Sequence, residues 1–256
     1  MSFFGKSEID QTLSRIASAS SDGYGILIRR RDRSGDGWFA ASELANRAAP
    51  AALLANVRGF SEPPPDHVRA EWMLESIARA VADLGGSFIV SSQRLPDFSP
   101  DNLLLAAEGG LVRATGMTSG RMSVLPDDPA AAEAGNRTVG RWEDLADEYR
   151  EGFISVLEPV VKWLDGQGLR PEKTLWQAAA DRLAQSLIWS GDAFEKPDFA
   201  KSVAERFVNG DDRLTIPLET RVDDYEREYH LRTTCCLAYR TPEGTLCQGC
   251  PLNKEA

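Results

Sequence analysis

Every thiol of the 256-residue chain lies near its C-terminus, in "RTTCCLAYRTPEGTLCQGCPL", as Cys235, Cys236, Cys247 and Cys250. The spacing is Cys-Cys-x10-Cys-x2-Cys, and three chemistries compete for it. The first is disulfide pairing. A chain of this length builds an apolar core without staples, and adjacent cysteines join each other only through a strained peptide. The second is a zinc ion held by four thiolates. Cys247-Gln-Gly-Cys250 is an ordinary half of such a site, but Cys235–Cys236 has no spacer. Neighbouring side chains on extended backbone point to opposite sides, so both reach one ion only if the chain twists locally. The third is a [2Fe–2S] cluster, which spreads its four terminal ligand positions over two irons and so relaxes the demand on the adjacent pair. The cysteines alone leave all three open.

Few other residues have types suited to chemistry. His67 and His230 are the two histidines. His67 follows the stiff Pro63–Pro65 connector at a helix start, where a capping or surface role is expected. His230 reads as a partly exposed strand residue, or as a group beside a metal centre. Arg232 is either a charge on a β-ladder or a donor that offsets thiolate charge and contacts anionic oxygens. Tyr239 is a core aromatic or a cover over the cysteine site. Pro242–Glu243–Gly244 marks a turn between the two cysteine pairs, and Pro251 fixes the chain leaving Cys250. There is no phosphate-binding loop, no GxGxxG and no recognisable Ser/His/Asp set. "EGGLVRATG" is a glycine hairpin, not a nucleotide cradle.

The net charge of −10 argues against nucleic acid and anionic membrane partners, which need a basic surface. The basic stretch "RRRDRSGDG" at 29–37 carries its own aspartates and reads as a solvated loop. No run approaches the roughly 18 apolar residues of a membrane span. The opening residues lack the pattern of a signal peptide, so a cytoplasmic location with reduced thiols is expected.

The elements that must carry this segment follow from periodicity. "SEIDQTLSRIASAS" reads as a helix with Ile9, Leu13 and Ile16 on one face and Ser7 as its cap. "YGILIRR" reads as a strand, and "SELANRAAPAALLANVRGF" as a helix capped by Ser42 and interrupted at Pro50. A helix from Asp66 should carry Val68, Trp72, Ile77, Val81 and Leu84 inward and end at Gly85–Gly86, with "SFIVSSQR" following as a strand. A hairpin is expected around Glu108–Gly109–Gly110, then a turn-rich loop or boundary over 118–140. Trp142, Leu145, Tyr149, Phe153, Val156, Leu157, Val160 and Leu164 fall on one helical stripe, which Pro159 should bend. A second helix turns Leu175, Ala179, Leu183 and Leu187 inward, and a third covers about 197–209. Trp142, Trp163, Trp176 and Trp189 on these helices read as core. "LTIPLETRV" and "YEREYHLRTT" then read as strands. The expected class is α+β, with helices packed on a mainly antiparallel sheet and a C-terminal segment that carries the cysteines. The expected regions are 1–135, an N-terminal α+β part shaping a substrate face, and 136–256, a helical part ending in β structure and the cysteines.

The stretch "RTTCCLAYRTPEGTLCQGCPL" resembles the C-terminal signature of the FhuF-like ferric siderophore reductases. Those proteins carry an Arg before a Cys-Cys pair, a Tyr three residues after it, ten residues between the cysteine pairs, and Cys-x2-Cys-Pro-Leu near the end. Here these are Arg232, Cys235–Cys236, Tyr239, Cys247, Cys250, Pro251 and Leu252. The family's Arg is often doubled next to the pair; this chain has His230-Leu-Arg232-Thr-Thr instead. "TLWQAAADRLAQSL" resembles the family's Leu-Trp helix. The resemblance implies a [2Fe–2S] cluster on Cys235, Cys236, Cys247 and Cys250, with Arg232, Tyr239 and His230 around it or on the substrate. It implies one-electron reduction of siderophore-bound Fe(III), of the hydroxamate type, with a separate protein or reductant as electron donor. It also implies a fold shared in part with the C-terminal region of siderophore synthetases. A structural zinc site on a non-enzymatic protein, or an iron–sulfur carrier or sensor with another acceptor, are the alternative readings.

Overall fold

A computed structural model describes residues 7–19, the backbone of 27–30, and residues 37–59, 62–242 and 244–253. The basic loop from 31, and Glu243 of the inter-cysteine turn, lie outside the described residues. The class is α+β, as expected. A four-stranded sheet is built from β1 (Leu27–Arg30), β2 (Trp38–Ala40), β4 (Leu103–Glu108) and β5 (Leu111–Met117), in the order β1-β5-β4-β2. Its pairings are antiparallel except that of β1 with β5. The β4–β5 turn is the expected glycine hairpin: Gly109 and Gly110 both have positive φ, which a tight primed turn requires.

The helix α1 (Glu8–Ala19) turns Ile9 and Ile16 inward, and the amide of Asp10 donates to Ser7 Oγ at 3.4 Å, so Ser7 caps it. The apolar stretch from 41 forms a short 3-10 turn and then α2 (Ala48–Asn56), with Pro50 in the first turn, where its missing N–H costs little.

One expectation fails here. The helix from Asp66 does not stop at the two glycines but runs on as α3 (Asp66–Ser92), through the predicted strand. A Cβ on Gly85 would sit 2.2 Å from the ring of Tyr149, whose hydroxyl donates to Ala82 O at 2.7 Å. The glycine is therefore a notch that admits the next helix. The true stop is Gln93, in left-handed backbone at φ 52°. Phe88, Ile89 and Val90 are all buried, and a wholly buried helical run lacks the one-sided periodicity that separates helix from strand.

Beyond α3, β3 (Arg94–Pro96), β6 (Met122–Val124) and β7 (Arg137–Thr138) form a second sheet, so the turn-rich stretch contributes two short strands. Three helices follow: α4 (Trp142–Gly166), α5 (Glu172–Ala193) and α6 (Pro197–Val208). The predicted stripes of α4 and α5 are buried. Trp176 is core, whereas Trp142 and Trp163 are only partly buried. α3 has the four-stranded sheet on one side, where Thr115 Oγ1 donates to Ala80 O, and packs most extensively against α5.

The final strands are shorter than expected. β8 (Thr220–Val222) and β9 (Glu228–His230) pair over three residues each. Pro217 has no N–H to extend the first. Leu231 N still donates across to Glu219 O at 2.8 Å; from Arg232 on the backbone leaves the ladder, because its amides bond to the last cysteine turn and to α5.

Candidate metal centre

Two helices present matched sets of polar side chains to the C-terminal segment. α3 supplies Glu71, Trp72 and Glu75, and α5 supplies Asp181, Arg182 and Gln185, each set at helical spacing. Asp181 is buried and accepts from Thr233 N at 2.8 Å, Thr234 N at 2.8 Å and Thr234 Oγ1 at 2.9 Å. His230 Nε2 lies 3.0 Å from the same carboxylate, its Nδ1 lies 3.1 Å from Glu219 O, and its amide donates to Gln185 Oε1. His230 is 0% exposed, so it is not the partly exposed strand residue expected; it ties the end of β9 to α5. On the other side, Trp72 Nε1 donates to Cys236 O at 2.9 Å. The strand leading into the cysteine pair is thus hung between two helices.

Arg232 is not a ladder charge. It is buried and bonded to Glu75, which also accepts from Arg182. Glu71, one turn earlier, accepts from Arg170 Nε at 3.0 Å, while its Oε1 has no partner. Burial and the neighbouring Glu75 charge push the Glu71 carboxyl up to about 8, against the pull of Arg170 and Arg232. Burial pushes Glu75 the same way, but Arg182 and Arg232 outweigh it and hold this carboxylate below its ordinary range.

The chain turns sharply directly after the adjacent pair. Leu237, directly after Cys236, sits in left-handed backbone at φ 61°, and its amide donates to Cys235 Sγ at 3.3 Å. The second pair is placed by Gly249, at φ 71°. A Cβ there would lie 2.2 Å from His230 O, and its carbonyl accepts from Arg232 N at 2.9 Å. The Cys247–Cys250 turn is thereby docked on the end of β9. Cys236 and Cys250 are buried and Cys235 and Cys247 half-buried, and all four are free of disulfides.

Cys236 Sγ and Cys247 Sγ are 3.5 Å apart, so sulfurs from the two halves of the motif meet. Two thiolates on one tetrahedral metal at ~2.3 Å would stand ~3.8 Å apart. Their mutual hydrogen bond holds the Cys236 thiol down, at about 6, despite burial, helped by the Ala238 amide and the Arg232 charge. The same bond and burial push Cys247 up. Burial also raises Cys235. Among the described residues no three His, Cys, Asp or Glu gather into a single-ion site. Arg232, whose charge favours the thiolate at Cys235, Cys236 and Cys247, keeps a buried Nε without a partner. Sulfurs paired across the motif, a ready thiolate, and a buried cation beside them fit an anionic iron–sulfur group.

Residues 232–252 match the FhuF 2Fe-2S C-terminal domain. The match bears out the resemblance carried by the cysteine spacing, and the cofactor of this FhuF-type segment is a [2Fe–2S] cluster. Two solved structures are similar to parts of the whole chain. One is the aerobactin synthetase IucC from a hypervirulent pathotype of Klebsiella pneumoniae, at 16% identity and a TM-score of 0.47, covering 66% of this chain and 31% of that one. The other is the petrobactin biosynthesis protein AsbB from Bacillus anthracis str. Sterne, at 13% identity and a TM-score of 0.41, covering 70% and 34%. The chain spans about a third of the length of either. No curated protein matches it.

Of the predicted residues around the cysteines, His230 and Arg232 are buried, the first against Asp181 of α5 and the second against Glu75 of α3. Tyr239 is 40% exposed beside the Arg240 guanidinium, so it is not a core aromatic. Sequence reading missed Glu71, Glu75, Trp72 as a donor, Asp181, Arg182 and Gln185. The signal was there for Asp181, an acid set in the apolar face Ala178, Ala179, Leu183 and Leu187. For Glu71 and Glu75 it was two carboxylates four residues apart on a helix otherwise buried.

Proposed function

We propose that this protein is a ferric siderophore reductase, with Cys235, Cys236, Cys247 and Cys250 holding its [2Fe–2S] cluster. The reading rests on one observation: the FhuF-type segment, whose first cysteine pair is tied to α3 and α5 and whose second is docked on the end of β9, with two of the four half-exposed. When bound, the cluster supplies one electron at low potential, because four thiolate ligands leave it anionic. The substrate is Fe(III) held by hard oxygen donors, hydroxamates in this reading. One electron converts it to Fe(II), which those oxygens hold less tightly; their freed charge takes protons from water. A separate one-electron donor protein restores the electron. No nucleophile or general base is required.

The chain's own part is positional. Asp181 and Trp72 fix the backbone of the Cys235–Cys236 pair, and Arg232 favours the thiolate forms. Cys235 and Cys247 present the accessible edge. The large apolar side chains exposed among the described residues are Val222 and Tyr225 on the β8–β9 hairpin and Tyr239, Leu246 and Leu252 in the cysteine segment, which gives substrate and donor a face to dock on. The chemistry suits the reduced conditions of a cytoplasm. No helix among the described residues is long and apolar enough to cross a membrane.

The test is the visible and paramagnetic spectrum of anaerobically purified protein, followed by mixing reduced protein with a ferric hydroxamate in the presence of a ferrous chelator. The expected result is a red-brown protein with about two irons and two sulfides per chain, reoxidised as chelated Fe(II) appears. Cys247→Ser is expected to lose the spectrum. A colourless chain holding one zinc would overturn the reading, and a cluster that stays reduced in the presence of substrate would remove the reductase assignment.

A further inference from the structure

Five ionisable side chains lie in or border a buried layer under the cysteine segment: Glu71 and Glu75 from α3, Arg170 ahead of α5, Arg182 from α5, and Arg232. Glu75 is its centre. It is 4% exposed and accepts from two arginines of different origin, Arg182 and Arg232. Arg232 stands three residues ahead of Cys235, and its amide donates at 2.9 Å to the carbonyl of Gly249, inside the Cys247–Cys250 turn, so it is tied to both cysteine pairs. Glu75 is brought to the same place by α3, on which Trp72, three residues earlier, donates to Cys236 O at 2.9 Å. A fixed charge in a weakly polar interior shifts the balance between two redox states that differ by one charge: a cation favours the reduced form and an anion the oxidised one.

Resting on the cluster reading above, we propose that Glu75 is a positioning residue that sets the reduction potential at the cysteine site, by holding Arg232 under the cysteines and cancelling part of its charge. Arg232 alone would draw the potential upward and weaken the drive to reduce Fe(III). With Glu75 on one side, the guanidinium still neutralises thiolate charge enough for the segment to fold over it, yet its field on an added electron is reduced. Arg182 completes the arrangement by keeping Glu75 ionised and fixed.

The experiment is potentiometry of full-length, anaerobically reconstituted protein, followed by visible absorption and electron paramagnetic resonance. Glu75→Gln is expected to raise the midpoint potential, changing the redox equilibrium about tenfold, which is ~59 mV for one electron. Glu75→Asp keeps the charge and is expected to stay near the wild type, whatever stability it loses. Arg232→Gln is expected to move the potential downward. If Glu75→Gln fails to fold because two arginines are left buried and unpaired, Glu75→Gln combined with Arg182→Met removes one charge of each sign and is expected to show a smaller upward shift. Loaded variants whose potential ignores the charge at position 75, or a Glu75→Asp that shifts as far as Glu75→Gln, would overturn the inference alone. A wild-type chain without the cluster would overturn it together with the functional reading.

Discussion

Four donors converge on the Asp181 carboxylate: the amides of Thr233 and Thr234, the Thr234 hydroxyl and a His230 ring nitrogen. An amide in its place keeps one acceptor and turns the other into a donor facing donors. Asp181→Asn should therefore destabilise the fold by about 3 kcal/mol, the cost of leaving buried partners unmet. Denaturant midpoints of the cluster-free chain would read the loss, and iron content after reconstitution should fall in parallel. Glu71 gives a pH signature. Its folded-state carboxyl is raised from an ordinary 4.5 to about 8, so the folded state binds this proton more tightly than the unfolded chain does. Its contribution is complete below about 4.5 and is lost as pH rises towards 8. Glu75 is shifted the other way, and its contribution disappears in acid instead. Urea midpoints between pH 5 and 8 should fall less steeply for Glu71→Gln than for the wild type; identical slopes would refute the assignment. The cysteine pattern was legible because its spacing is itself a chemical signal, whereas Arg232 in sequence fits either a ladder charge or a donor near the cysteines. The acids beneath them were not legible, since a carboxylate on a helix face gives no hint in sequence of the arginine, 99 or 157 residues away, that will meet it.

At the level of the elements, the legible parts were those with one buried face. The stripes of α4 and α5 and the β4–β5 hairpin follow from period and turn chemistry alone. α3 was misread at its C-terminal third because burial on all sides erases the period, and because Gly85–Gly86 resembles a stop signal. The close approach of Tyr149 explains the glycine instead, and it is a contact between distant residues. Gly85→Ala, otherwise a favourable change within a helix, should here cost about 1–3 kcal/mol through overpacking. Thermal unfolding distinguishes the two cases: a gain in melting temperature would mean that the notch is not needed. The C-terminal strands were over-extended for a related reason. Their amides from Arg232 to Thr234 are claimed by Gly249 and Asp181, and no local pattern announces such a competitor.

Taken whole, the molecule puts its stable part and its reactive part in different places. The sheets and the helices α3 to α6 form the apolar interior, while the FhuF-type segment is largely irregular and depends on that interior for its shape. The α+β class was readable from the mixture of periods. The seating of the tail across the α3–α5 pair was not, because it depends on single polar contacts rather than on apolar patterning. One of those contacts gives the protein its own optical gauge. The Trp72 indole is bonded to the peptide of Cys236, so its ultraviolet emission originates beside the place where a coloured inorganic group would assemble. Loading with iron and sulfide should dim that emission by energy transfer, and Trp72→Phe should remove the most strongly dimmed component while the other five indoles persist. The glow of an ordinary side chain would then follow assembly and loss of the centre in real time, without any added dye.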